Sequence, residues 1–259
     1  MTRRHTTLRF LTGFALLWSL LFGLGRTGSS GIDYGIVTAV ALGLSALLVE
    51  TKLLGAPLAS APRQLGLGRP GGRSLLAASV VAAIVVAPVA AYVAIADADV
   101  ELRAGWPLLL VGLVAYHGIA EELIWRGYAY GQLRRTRPFR AAILATTPLI
   151  AATHVPVMLE SGVAVGVVAI VIAAVTCLPL GYLYELGGRT IWAAAIVHAA
   201  IDAFKLLDDP ASAPGLTAVV ALAGLVCPFA IFAWRLPADR SARPRAETPA
   251  LAAMGGGRS

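Results

Sequence analysis

Charge and cysteine are both scarce in this chain. Of its 259 residues only 14% are charged and two are cysteine, whereas 58% are hydrophobic. A soluble domain carries about 25% charged residues. A water-soluble globule is therefore excluded, and a mean hydropathy of +0.77 points to a polytopic membrane protein. The two cysteines, Cys177 and Cys227, lie far apart in apolar runs and form no CxxC pair. That excludes a thiol-redox motif and a cysteine-rich zinc site; both read as small buried apolar residues. A glycine-rich phosphate loop, an internal repeat and a second domain are missing too. Lysine is nearly absent: of 21 basic residues 19 are arginine, and the formal charge is +7. Such an excess can serve nucleic acid, but loop placement explains it here, so no nucleic-acid partner is expected.

What the chain does have is long apolar runs. A membrane span needs about 20 largely apolar residues, and that length predicts eight. They are Leu8–Leu24, Ile32–Glu50, Ser74–Ala96, Pro107–Tyr130, Ala141–Leu159, Val163–Tyr184, Ile191–Leu207 and Leu216–Trp234. The first follows Arg3, Arg4 and Arg9 as a signal peptide would. No small-x-small cleavage site follows it, so it reads as an uncleaved span. Pro179 is expected to kink the sixth span. Cytoplasmic loops collect Lys and Arg. With the N-terminus inside, 17 basic residues fall on the cytoplasmic side and three, Arg26, Arg103 and Lys205, on the other. The expectation is an all-α transmembrane bundle of about eight spans over residues 1–235, with both termini cytoplasmic. Residues 236–259, rich in Pro, Ala, Arg and Gly, are expected to form a disordered tail. The setting is the cell membrane, with the bilayer as the first partner.

Against this apolar background the ionisable residues stand out, because charge at membrane depth is costly and marks function. Glu121 and Glu122 are followed by Arg126, then His154, then His198 and Asp202. Glu122 and Arg126, four apart on a helix with the acid first, form a favourable pair. Glu121 is rotated by about 100° and has no such partner. It is thus the candidate reactive acid, suited to take a proton from water. Glu121 lies 13 residues before Arg134, and His154 lies 14 after Arg140. At about 1.5 Å per residue both sit roughly 20 Å from one surface. His198 and Asp202 share a helix face and lie roughly 13–20 Å from Arg189. His117, four residues before Glu121, shares its face; the plainer reading is a local hydrogen bond. Taken singly, each motif has a structural explanation.

The order EExxxR, then His about thirty residues on, then HxxxD, resembles the CAAX-protease and bacteriocin-processing (CPBP, or Abi) family of intramembrane endopeptidases. That family includes the type II CAAX prenyl proteases. The resemblance spans about residues 105–206 and extends to Arg126-Gly127 and to Gly188-Arg189-Thr190-Ile191-Trp192. It implies hydrolysis of a membrane-associated protein or peptide, with Glu121 activating water and His154 positioning it. His198 and Asp202 would complete the site. Two positions depart: Ile150 stands where the family often has Phe, and Asp202 where many members have Asn. An ionised Asp cannot donate to an oxyanion. Glu121, His154, His198 and Asp202 are also zinc-competent ligand types, so metal-assisted and metal-free mechanisms are both open. A transporter or an immunity-type binding protein is the alternative from another class, since proton pathways use the same residue types.

Overall fold

The computed structural model describes residues 3–26, 32–96, 100–208, 213 and 215–235. The expected tail, 236–259, lies outside the described residues. Among the described residues the regular structure is helical, apart from one isolated antiparallel bridge between Leu102 and Leu207.

The apolar runs become helices because, in lipid, only intrasegment hydrogen bonding satisfies the backbone. Helix α1 is Arg3–Arg26 and α2 is Ile32–Leu48, which continues into a π-helical turn at Val49–Leu53. Helix α3 is Gly72–Ile95. Helix α4 runs over Trp106–Arg134 and contains two π-helical stretches, Val114–Ala120 and Leu123–Tyr130. Helices α5, Phe139–Thr153, and α6, Val155–Ser161, are separated by a break at His154. Helix α7 is Val163–Leu186, and Pro179 lies inside it. Helix α8 is Trp192–Ile201, followed by a 3₁₀ turn at Asp202–Leu206. Helix α9 is Leu216–Val226, with a 3₁₀ segment at Cys227–Ala233.

Seven of these segments are long and apolar enough to cross a membrane. The expected span at Ile191–Leu207 is the exception. It forms a helix of ten residues and then tightens into the 3₁₀ turn. The short piece still connects opposite ends of the bundle. Ile191 N donates to Gly66 O at its start, and Arg103 N donates to Leu206 O at its finish. The chain before α4 thus dips inward to meet it.

The two described chain ends share one face. Tyr128 Oη donates to Phe10 O at 3.0 Å, and Tyr182 Oη donates to Trp234 O at 2.6 Å. The same end holds the pair Arg134–Glu185 at 2.8 Å and the pair Arg135–Glu50 at 2.7 Å, with Glu50 fully buried. Leu102 and Leu207 mark the opposite end.

Helix α4 is the most buried of the spans and forms the axis of the bundle. Small residues let its neighbours approach, as helix contacts in lipid favour. A Cβ on Gly118 would stand 3.0 Å from Ala195 O of α8. Buried Ala193, Ala194 and Val197 of α8 in turn join Ala77, Ala78 and Val81 of α3 in one apolar cluster. On the other side, a Cβ on Gly35 of α2 would collide with the carbonyl of Gly112. Gly35→Ala is therefore expected to force α2 away from α4 and cost about 1–3 kcal/mol, the usual scale of overpacking. A lowered unfolding temperature in detergent would register it.

Candidate active site

Helix α4 supplies His117, Glu121, Glu122 and Arg126, with the two acids between its π-helical stretches. Such widened turns recur at functional sites, where they re-aim side chains. Helix α8 and its 3₁₀ turn supply His198, Asp202 and Lys205. The close crossing at Gly118 and Ala195 brings the two sets together.

Glu122 is fully buried, and its Oε1 serves two donors. Arg126 Nη1 donates to it at 2.6 Å, and His198 Nδ1 lies 2.7 Å away. A carboxylate only accepts, so His198 donates from Nδ1 and its Nε2 is left for other work. Among the described residues Glu122 Oε2 is buried with no hydrogen-bond partner. Orphaning that oxygen is costly. The pair thus spends stability to anchor an imidazole.

Glu121 lies one residue earlier and faces a different set of groups. Its Oε1 is 2.9 Å from His117 Nδ1, and its Oε2 is 3.5 Å from His198 Nε2. Asp202 Oδ2 is 3.4 Å from the same His198 Nε2 and 3.7 Å from His117 Nδ1. Asp202 Oδ1 accepts from Lys205 Nζ at 2.7 Å. Of the three acids, Glu122 is paired with Arg126 and Asp202 with Lys205. Among the described residues the ion-pair partners of Glu121 are both imidazoles, His117 and His198. Exposure rises from Glu122 (0%) through Glu121 (12%) to Lys205 (39%). The cluster therefore opens towards the Leu102–Leu207 end.

His154 is placed differently from the other expected residues. Helix α5 ends at Thr153, and the His154 ring folds back on that last turn. Its Nδ1 is 2.9 Å from Ile150 O and 3.3 Å from Thr153 Oγ1. Among the described residues it forms no ion pair with Glu121 or Asp202. Among the described residues, no group of three or more His, Cys, Asp or Glu side chains is disposed to hold a metal ion. Lys205 already places a cation on Asp202.

Lys205 is the one member of the cluster that the sequence does not mark for chemistry. Lys205 reads by position as a loop cation, yet it turns back on Asp202. The signal was its spacing of three, which a 3₁₀ turn eclipses onto one face. The reach of His198 across to Glu122 has no local signature. An apolar cavity of about 400 Å³ behind α8, lined by Val85, Val89, Ile201, Phe204 and Gly224, contains none of the acids or imidazoles.

Residues 103–204 match the family model described as type II CAAX prenyl endopeptidase Rce1-like. Glu121, Glu122, Arg126, His154, His198 and Asp202 all fall inside that segment, and Lys205 falls one residue beyond it. No curated protein matches the chain.

Proposed function

Because this chain belongs, through residues 103–204, to the family of type II CAAX prenyl endopeptidases, we propose that it hydrolyses a peptide bond in a membrane-associated protein or peptide, using water activated by Glu121. The observation that carries this reading is one carboxylate without a permanent counter-ion, set between two imidazoles within a helical bundle.

In the forward step Glu121 takes a proton from water, and the water oxygen bonds to the scissile carbonyl carbon. The carbonyl π pair moves onto its oxygen. His198, anchored at Nδ1 by Glu122, presents Nε2–H of its imidazolium to that oxyanion. Preorganised donors of this kind are worth about 2.7–4 kcal/mol each. When the intermediate collapses, the C–N bond breaks and Glu121 returns its proton to the leaving nitrogen. Asp202, an anion that cannot itself donate, steadies the imidazolium. His117 donates to Glu121 Oε1 and aims Oε2 at the water. His154, with Nδ1 on the Ile150 carbonyl, keeps Nε2 for a hydrogen bond from substrate or water.

The proposed substrate class follows the description of the matched family model: a peptide ending in cysteine, two aliphatic residues and a variable residue. The cell membrane is the expected location, on the strength of the arginine pattern. The test is cleavage of such a peptide by purified protein in lipid nanodiscs, with and without a farnesyl group on the cysteine. Release of the terminal tripeptide is expected, faster from the farnesylated form. Proton-coupled solute flux without peptide turnover would overturn the assignment.

A further inference from the structure

We propose that Lys205 is a positioning residue of this site, fixing the tautomer of His117 and holding the carboxylate of Asp202 in place. The inference rests on the hydrolytic reading above and extends it to a residue outside the matched segment. Lys205 Nζ is 2.7 Å from Asp202 Oδ1 and 2.9 Å from His117 Nε2. An ammonium group has donors and no acceptor. His117 Nε2 must therefore be the unprotonated nitrogen, and the ring proton sits on Nδ1. That proton faces Glu121 Oε1 at 2.9 Å. Lysine, histidine and glutamate thus form a directed chain in which each donates to the next. Its product is a Glu121 with one oxygen occupied and the other free to accept from water.

The local backbone makes the contact possible. Three residues per turn superimpose i and i+3, so the 3₁₀ turn at Asp202–Leu206 stacks Lys205 directly on Asp202. A continued α-helix would swing Lys205 about 60° away from that face. The ammonium also answers a problem of charge. Asp202 and Glu121 both approach His198 Nε2, at 3.4 and 3.5 Å. Two uncompensated acids on one imidazole would repel, and Lys205 removes that conflict. The other charged groups packed around His117 are Glu121 on its own helix and Asp202, His198 and Lys205 from α8. Beyond His198, Glu122 and Arg126 are engaged with each other.

Lys205→Met is expected to lower kcat about 10- to 100-fold with KM little changed, less than the ~10²–10⁴-fold a general base supplies. Lys205→Arg keeps the charge and is expected to recover turnover to within a few-fold of the native protein. Unimpaired kcat in Lys205→Met, or no recovery in Lys205→Arg, overturns the inference. A readout independent of turnover is the nitrogen spectrum of ¹⁵N-histidine-labelled protein, which has four histidines. His117 should show a protonated Nδ1 and a bare Nε2, and Lys205→Met should shift it to a tautomer mixture. An unaltered His117 spectrum also overturns the inference. Glu121→Gln is the control: absent cleavage by the native protein sinks the hydrolytic reading, while the histidine spectrum still decides the role of Lys205.

Discussion

Glu121→Gln is expected to yield a membrane-inserted, folded protein whose kcat for peptide cleavage is lower by about 10²–10⁴-fold, the share a positioned general base contributes. The substitution is nearly isosteric, and the amide oxygen still accepts from His117 Nδ1, which lies 2.9 Å from the native carboxylate. What disappears is the ability to take a proton from water. Binding should survive, because a peptide contacts the surrounding helices as before, so KM is expected to hold. Steady-state kinetics and a thermal melt on the same preparation check both halves. Undiminished cleavage by a well-folded variant would remove Glu121 from the reaction.

Glu122→Ala is expected to act on stability as strongly as on turnover. Glu122 and Arg126 are both buried and joined at 2.6 Å. Removing one partner leaves an uncompensated charge, at a cost of about 3–5 kcal/mol. A double variant, Glu122→Ala with Arg126→Met, abolishes the stranded charge and is expected to regain most of the lost melting temperature. It should remain inactive, since His198 Nδ1 also depends on Glu122. Recovered melting without recovered cleavage separates anchoring of the imidazole from support of the fold. Recovery of both would show that Glu122 does no more than neutralise Arg126.

The bundle was largely legible because hydropathy and length dictate transmembrane helices almost alone. Seven of the eight expected segments are helices long enough to cross. Ile191–Leu207 is as apolar as the rest, and its early end depends on a polar turn. Asp202 and Lys205 favour the tight geometry there because it joins their charges, an effect outside any hydropathy average. The Glu122–Arg126 pair follows from a spacing of four, which survives even where the helix widens. Depth counting levelled Glu121 with His154, but it carries no information on which way a ring turns. The break after Thr153 directs His154 to a local carbonyl instead. Glu50 and Glu185 are further acids in apolar helices; Arg135 and Arg134 reach them from distant parts of the chain, and Arg189 adds a local partner to Glu185.

The division of the polar cluster between two helices bears on biogenesis. Helix α4 would enter the bilayer with two acids and Arg126, Arg134 standing at its end, and α8 with its 3₁₀ turn carrying an aspartate and lysine already matched three residues apart. Each is close to electrically balanced on its own, which limits the penalty of leaving the translocon. The bond from His198 to Glu122 joins the two segments and can form only after both have inserted. On the proposed mechanism, competence for hydrolysis therefore arises when these two helices dock, and a nascent chain still threading the membrane holds no finished site.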